Sequence, residues 1–265
     1  MDRLSTAFDE LDIDEVEIFD DKLIEQTKKP YEQESDIQTS EEWQPNHKEY
    51  LHTPTNFSIP KKLYNKLYPH QKEGVAWLSS LYQQNIGGIL GDDMGLGKTY
   101  QSLTYLGGLF YNQDIRNAII VCPVSLLRTW ENEAKTILKT CCPEINIIVI
   151  TSSMSANRRH DLFYDAIGCC KSYPYLVITT YGLVSSNPQN VIPHPKYHWD
   201  FVVLDEGHQI KNRKTKKHIG CSMICKEGKT RRLLLTGTPI QNNLEEMWSL
   251  FDWSTEGRLL GDLPA

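Results

Sequence analysis

The chain has 265 residues, of which 40% are hydrophobic and 23% are charged, enough apolar side chains for a core in one large domain or two small ones. No apolar run is long enough to span a bilayer, and the first residues, Met1-Asp2-Arg3, do not resemble a signal peptide. The seven cysteines form no Cys-x-x-Cys pair, which favours reduced thiols over a disulfide or zinc framework. We therefore expect a soluble intracellular protein rather than a membrane or secreted one.

The net charge of −6 combines two parts of opposite sign. Residues 1–50 contain 16 acidic and 5 basic residues, whereas residues 51–265 contain 18 acidic and 23 basic ones. Because the first part is acidic and its prolines interrupt any long element, we predict that residues 1–56 form a disordered tail. This tail either stays solvated or binds a protein partner through a short amphipathic helix. The mildly basic remainder, residues 57–265, has the charge of a domain that binds nucleic acid.

From residue 57 onward, short apolar runs typical of strands alternate with segments of helical spacing. The predicted strands are 86–90, 118–122, 145–150, 175–179, 201–204 and 232–235. The predicted helices are 99–111, 126–138, 156–167, 215–224 and 244–251. Alternating β and α units predict an α/β fold in which helices flank a parallel sheet on both faces. The proline-rich stretch 185–199 is predicted to be a surface loop.

Residues 91–99, Gly-Asp-Asp-Met-Gly-Leu-Gly-Lys-Thr, lie between the first predicted strand and the helix that follows it. In this strand–loop–helix order, backbone N–H groups of a glycine-rich turn bind phosphate oxygens. Lys98 is then expected to reach the β- and γ-phosphates of a nucleoside triphosphate, and the Thr99 hydroxyl to bind Mg²⁺. The strict P-loop pattern has glycine where Asp92 stands. The predicted nucleotide-binding residues of the loop are Asp92, Asp93, Met94, Gly95, Leu96, Gly97, Lys98 and Thr99.

An acidic motif, Asp205-Glu206-Gly207-His208, follows the predicted strand at 201–204. Asp205 is expected to hold the hydration shell of Mg²⁺, and Glu206 to polarise the attacking water. Taken alone, an acidic pair after a strand is also typical of a helix N-terminus. Ligands of α/β folds bind at the carboxyl edge of the sheet, where both motifs are expected. Together they predict a site that hydrolyses a phosphoanhydride, with Lys98, Asp205 and Glu206 as its catalytic residues.

Four segments resemble the first motor lobe of the Swi/Snf-type DNA translocases, a family of helicase-like ATPases in superfamily two. They are residues 92–99, residues 205–212 (Asp-Glu-Gly-His-Gln-Ile-Lys-Asn), residues 233–244 (Leu-Leu-Leu-Thr-Gly-Thr-Pro-Ile-Gln-Asn-Asn-Leu) and residues 248–252 (Trp-Ser-Leu-Phe-Asp). Residues 68–74 and the paired aspartates 92 and 93 favour the branch of PICH and the Cockayne syndrome group B protein. The resemblance covers residues 57–262. It implies a RecA-like fold of the P-loop NTPase type, ATP and Mg²⁺ as cofactors, and nuclear activity on duplex DNA in chromatin remodelling or DNA repair.

The resemblance also implies functions for residues outside these two motifs. Gln71 is expected to bind the adenine edge, while Thr236, Gly237 and Thr238 are expected to couple the γ-phosphate to the DNA side. The residues expected to contact the DNA backbone are Ser125, Arg128, Thr180, Lys211 and Asn212. If the family resemblance is left aside, Ser125 is expected to be a helix cap, and Arg128 is expected to be a charged surface residue. The basic run 211–217 is also compatible with a nuclear-import signal or a solvated helix face.

No second set of βα units follows residue 252, so we expect a lobe without the second RecA-like lobe of this family. In such motors the second lobe supplies arginine fingers, which accelerate phosphoryl transfer by about 10³–10⁵-fold. The chain alone is therefore expected to bind ATP but to hydrolyse it slowly or not at all. Two alternatives stay open: an RNA helicase lobe, and a truncated non-enzymatic module that acts through interactions. A preference for duplex DNA over RNA, or a longer reading frame, distinguishes them.

Overall fold

The structure, a computed structural model, describes residues 50–52, 57–164, 173–192, 197–237 and 244–260. Its strands are β1 (Tyr50–His52), β2 (Ser58–Pro60), β3 (Gly88–Leu90), β4 (Asn117–Cys122), β5 (Asn146–Val149), β6 (Tyr175–Thr180), β7 (Phe201–Asp205) and β8 (Arg231–Leu235). Its α-helices are α1 (Lys61–Tyr64), α2 (Pro69–Gln83), α3 (Lys98–Tyr111), α4 (Leu127–Cys141), α5 (Ala156–Tyr164), α6 (Tyr181–Ser186), α7 (Lys216–Met223) and α8 (Leu244–Thr255). Within the described residues, none of these helices is long and apolar enough to cross a membrane.

Strands β3 to β8 form one sheet in the order β3-β8-β7-β4-β6-β5, and every neighbouring pair is parallel. Ile119 of β4, for example, lies beside Val177 of β6 and Val202 of β7. Parallel strands with continuous apolar sequences need cover on both faces. The predicted α/β class and its parallel sheet are therefore confirmed.

Two hydrophobic cores lie on opposite faces of this sheet. Ala118 and Ile120 of β4 pack with residues of α2, α3 and α4, whereas Ile119 and Val121 pack with residues of α5 to α8. The alternation follows from strand geometry, in which successive side chains point to opposite faces. Helices therefore cover both faces, as the sequence predicts.

The six predicted strands all occur, with ends that differ by one or two residues. Strand β3 begins at Gly88 rather than Ile86. A Cβ atom on Gly87 would lie 2.0 Å from the carbonyl oxygen of Ser254, so the backbone there packs against the end of α8. Packing of this kind leaves no periodic signal in the sequence.

One strand lies before the predicted boundary at residue 57. Strand β1 (Tyr50–His52) pairs with β2 in an antiparallel arrangement, so residues 50–52 do not belong to a disordered tail. A three-residue strand is too short to show alternation, and its partner comes from beyond the proline at position 54. The rest of the acidic segment, residues 1–49 and 53–56, lies outside the described residues.

The predicted surface loop 185–199 is also partly wrong. Helix α6 extends to Ser186, and residues 188–191 form a 3₁₀-helix. Val191 and Trp199 are fully buried, and the Trp199 indole N–H donates to the Val191 carbonyl at 3.1 Å. This part of the chain belongs to the second core because two apolar side chains within the polar stretch pack inward.

Candidate functional site

Three strand ends meet at the carboxyl edge of the sheet. Strand β8 lies between β3 and β7, so the turn at Thr236 and Gly237 separates the loop after β3 from the acidic pair after β7. The Thr236 N–H donates to the Leu90 carbonyl at 3.1 Å. A Cβ atom on Gly237 would lie 3.0 Å from Met94 Cγ and 3.8 Å from Lys98 Nζ. The predicted coupling turn therefore contacts the glycine-rich loop directly, while Thr238 lies outside the described residues.

The phosphate loop, residues 91–97, has a backbone that requires glycine at two positions. Gly95 and Gly97 have φ values of +88° and +80°, in the left-handed region that side chains disfavour. Gly97 is the residue before the first turn of α3, which begins at Lys98. The first N–H groups of a helix lack acceptors within the helix, and they carry its positive dipole end. Here they lie next to the loop, the arrangement that binds phosphate groups.

The side chain of Lys98, the first residue of α3, reaches back to the phosphate loop. Its Nζ donates to the carbonyl oxygens of Asp92 at 2.7 Å and of Asp93 at 3.1 Å. Thr99, the second residue of α3, is half-buried beside it. Phosphate oxygens are stronger acceptors for an ammonium group than neutral carbonyls, because their charge assists the hydrogen bond. Lys98 is thus held where a bound triphosphate would replace the two carbonyls.

Asp92 is anchored to α3, which accounts for an acid at a position where the strict pattern has glycine. Its Oδ2 accepts a hydrogen bond from Nε2 of Gln101 at 2.8 Å, and Gln101 is fully buried. A Cβ atom on Gly74 would lie 2.0 Å from Oε1 of Gln101, so glycine in α2 leaves space for this amide. Gln101 is not among the predicted site residues, because it stands two residues after Thr99 next to other polar residues of α3, Ser102 and Thr104.

The Gln71 amide connects the start of α2 to the phosphate loop. Its Oε1 accepts from the Tyr68 N–H at 3.0 Å, and its Nε2 donates to the Leu96 carbonyl at 2.9 Å. Nε2 of His70 lies 3.2 Å from the same carbonyl oxygen. The adenine contact stays a prediction, and the two Gln71 bonds use only one N–H donor and one lone pair of the amide, which has two of each.

Asp205 ends β7 as a nearly buried carboxylate with a partner on each oxygen. Its Oδ2 accepts from the Trp130 indole N–H at 2.7 Å, and its Oδ1 accepts from the Glu206 N–H at 3.0 Å. Burial raises the pKa of Asp205, while the Trp130 hydrogen bond and the Lys98 ammonium oppose that rise. The sheet order β3-β8-β7 places the two motifs at one edge, so the Lys98 ammonium favours the charged form of Asp205.

Glu206 points away from the buried strand. Its φ of +54° is unusual for a residue with a side chain, and it turns the chain sharply after Asp205. Oε2 of Glu206 lies 3.2 Å from Nδ1 of His208, and the Glu206 side chain is 22% exposed. A partly exposed carboxylate next to a buried one can bind water at the site opening.

Ser125 and Arg128, two of the predicted DNA contacts, are exposed at the start of α4. The prediction from the local sequence alone, that Ser125 caps α4, is wrong. Helix α4 starts at Leu127, and Ser125 lies in a 3₁₀ turn, Val124–Leu126, that precedes it. The local sequence favours a cap at serine, but the 3₁₀ turn moves the helix start one residue onward, from 126 to Leu127.

Thr180, a third predicted DNA contact, is 5% exposed, and its hydroxyl accepts from the Leu183 N–H at 3.4 Å. The structure thus gives it a capping function for α6. Lys211 lies 3.1 Å from the Glu246 carboxylate and is partly exposed. Asn212 is exposed, and its side-chain oxygen accepts from the Lys214 N–H at 2.9 Å.

The donor set fits Mg²⁺ bound together with a nucleotide. Mg²⁺ usually takes one or two protein oxygens plus phosphate and water oxygens. The Thr99 hydroxyl and the Asp205 carboxylate each offer an oxygen ligand for the metal, one from each motif. Among the described residues, no cluster of three His, Cys, Asp or Glu side chains that could hold a metal alone occurs.

Comparisons with known proteins agree with this geometry. The model of the SNF2-related domain matches residues 70–259. The mouse DNA excision repair protein ERCC-6-like is 40% identical over 208 residues, 77% of this chain and 16% of that protein. The Arabidopsis thaliana protein CHROMATIN REMODELING 24 is 38% identical over 217 residues, 78% of this chain and 19% of that protein. The chain therefore spans less than a fifth of the length of these relatives.

A solved structure, the Sulfolobus solfataricus SWI2/SNF2 ATPase core in complex with dsDNA, has the same fold. It superposes with a TM-score of 0.58 at 26% identity, over 74% of this chain and 37% of that one. The two relatives above indicate the branch of the Cockayne syndrome group B protein, as the sequence predicts. The chain belongs to the SNF2 family of helicase-like ATPases, and residues 70–259 are its SNF2-related domain.

Proposed function

We propose that this chain is the ATP-binding lobe of a DNA-dependent ATPase that moves along duplex DNA. The observation that carries the proposal is the position of the Lys98 loop and Asp205 on either side of the β8 turn at one sheet edge, in a family of ATPases. The solved relative that binds dsDNA supports duplex DNA as the partner. Relatives in DNA repair and chromatin remodelling support a nuclear, chromatin-associated protein.

Each residue of the site has a defined task in this proposal. The α3 N-terminus and Lys98 bind the β- and γ-phosphates, while Thr99 and Asp205 would hold Mg²⁺. When bound, Mg²⁺ supplies charge that neutralises the phosphate oxygens. Glu206 orients the attacking water and accepts its proton. Gln71 binds the adenine edge through the second N–H and the second lone pair of its amide.

Thr236 and Gly237 are proposed to couple the nucleotide to the DNA side. Their turn contacts the phosphate loop directly and follows Leu235, which pairs with Asp205, so a change in either motif can reach it. DNA is proposed to contact the exposed residues Ser125, Arg128, Lys211 and Asn212 through its phosphate groups.

The arginine that stabilises the transition state is proposed to come from outside this lobe. Arg116, Arg231 and Arg232 lie at the amino-terminal ends of β4 and β8, the opposite edge of the sheet from the phosphate loop. Arg213 lies 3.5 Å from the Asp252 carboxylate. Hydrolysis by the chain alone is therefore expected to be slow, since a finger is worth about 10³–10⁵ in rate.

The test is ATP turnover by the chain with duplex DNA, with single-stranded RNA and without nucleic acid, against a Glu206→Gln background. We expect low turnover that duplex DNA raises more than RNA does, and that Glu206→Gln removes. A larger effect of RNA would favour an RNA helicase lobe. Turnover that is equal in Glu206→Gln would overturn the proposed hydrolytic site. ATP binding without any turnover would agree with a lobe that needs an arginine from outside, whereas no ATP binding at all would favour the non-enzymatic interaction module.

A further inference from the structure

Asp205 is held by two aromatic residues that are distant from it in sequence. The Trp130 indole N–H donates to its carboxylate at 2.7 Å, and the Tyr181 hydroxyl donates to its backbone carbonyl at 2.7 Å. Both aromatic side chains are buried, at 1% and 3% exposure. Water therefore does not compete for either hydrogen bond, and each one fixes the aspartate strongly.

Both aromatic residues follow strands that end at the carboxyl edge of the sheet, β4 for Trp130 and β6 for Tyr181, and the proposed DNA contacts Ser125 and Arg128 lie between β4 and Trp130. Trp130 is in the first turn of α4, two residues after the exposed Arg128. Tyr181 starts α6, directly after β6. Because a helix moves as a rigid unit, a displacement of the α4 N-terminus carries the Trp130 N–H with it. Asp205 accepts a hydrogen bond from an aromatic residue of each segment.

We propose that Trp130 is a positioning residue that couples DNA contact at α4 to the metal-binding Asp205, with Tyr181 as a second support. The inference rests on the proposed function. With Oδ1 bonded to the Glu206 N–H, the Trp130 bond fixes the remaining carboxylate oxygen and so the orientation of the whole group. Partners of this kind tune metal affinity by about 10–100-fold. The coupling is reciprocal, so Mg²⁺–nucleotide also raises DNA affinity.

The experiment measures binding of a fluorescent ATP analogue with Mg²⁺ and with EDTA, each with and without a short DNA duplex. The ratio of the two affinities is the metal-dependent gain, and its change on adding DNA is the coupling. Trp130→Phe keeps a buried ring but removes the N–H. It is expected to lower the metal-dependent gain by about 10–100-fold and to abolish the DNA effect. Tyr181→Phe is expected to lower both in the same direction, by less.

Trp199→Phe is the matched control. Trp199 is as buried as Trp130, and its N–H also donates to a buried acceptor, but that acceptor is the Val191 carbonyl in the other core. Thermal unfolding checks that each variant folds, and we expect similar losses in Tm for both tryptophan variants. If Trp130→Phe does not fold, Tyr181→Phe carries the test.

The experiment distinguishes a failure of the positioning function from a failure of the proposed ATP site. If the wild type gains affinity from Mg²⁺ and DNA, and Trp130→Phe or Tyr181→Phe behaves as Trp199→Phe does, the positioning function is overturned while the ATP site stands. If the wild type binds the analogue no better with Mg²⁺ than with EDTA, the proposed function itself is overturned, and this inference with it.

Discussion

Gly97 is the residue of the phosphate loop at which both the backbone conformation and a neighbouring side chain require glycine. Its φ is +80°, and a Cβ atom there would lie 2.4 Å from Nε2 of Gln71. Gly97→Ala therefore strains the backbone, at about 1–2 kcal/mol, and displaces the amide that holds the Leu96 carbonyl. We expect nucleotide affinity to fall at least about tenfold, equivalent to about 1.4 kcal/mol, in a fluorescence titration.

Gly228→Ala is the control that separates an effect on the phosphate loop from the effect of backbone strain alone. Gly228 has a φ of +67°, and nothing lies within 4 Å of a Cβ atom placed there. This variant should lose a similar free energy of unfolding, measured by urea denaturation, but bind nucleotide as the wild type does. Equal affinity losses in both variants would mean that Gly97 acts through global stability alone.

At the scale of elements, His218 connects α7 to the segment after the acidic pair. Its Nδ1 donates to the Ile210 carbonyl at 2.7 Å. Burial lowers the pKa of His218, an effect that the Ile210 hydrogen bond and Asp252 oppose and that Arg213 and Arg232 reinforce. The unfolded histidine has a pKa of about 6.5. The folded state therefore excludes a proton that the unfolded state binds below that pH.

The free energy of unfolding should consequently fall as the pH drops from about 6.5 towards the lower folded pKa of His218, by at most about 1.4 kcal/mol per pH unit. His218→Asn keeps an N–H donor for the Ile210 carbonyl but does not titrate. We expect it to flatten this part of the pH profile in urea denaturation. His160→Asn, at a histidine that is 50% exposed, is the control for the substitution itself. An unchanged slope in His218→Asn would contradict the prediction.

Elements and motif order could be predicted from the sequence because both follow local rules. Apolar runs give the strands, and glycine before Lys98 gives the loop at a helix start. Contacts between distant segments could not be predicted: Trp130 and Asp205 are 75 positions apart, and only the pairing of β4 beside β7 brings them together. The support that Gln101 gives to Asp92 depends likewise on the space left by Gly74.

For the whole molecule, the proposal assigns DNA binding to the basic segment 211–217. Replacing Lys211 and Lys214 together by alanine should weaken duplex binding and reduce the slope of log affinity against log salt by about 2, since each phosphate contact contributes about 0.9. The surface ion pair of Lys211 with Glu246 contributes little stability, at most about 1 kcal/mol. Fluorescence anisotropy at several salt concentrations measures the slope.

The matched control replaces Lys61 and Lys62, which are exposed on α1, by alanine. Both double variants change the net charge equally, so a general electrostatic effect would alter the two slopes alike. A slope that falls only in the variant of residues 211 and 214 supports a localised DNA surface. Equal changes would contradict it.

The central claim is that Lys98 and the phosphate loop bind a nucleoside triphosphate. Its most direct test is calorimetric titration of a non-hydrolysable ATP analogue with Mg²⁺ into the wild type, Lys98→Ala and Lys135→Ala. Lys135 is 51% exposed and pairs with Glu131 on α4, so it controls for the loss of one positive charge. We predict binding that Lys98→Ala weakens about 10–100-fold, because hydrogen bonds to charged groups are worth about 1.5–3 kcal/mol, and that Lys135→Ala leaves unchanged. Equal binding by Lys98→Ala and the wild type, or no binding by the wild type, would contradict the claim.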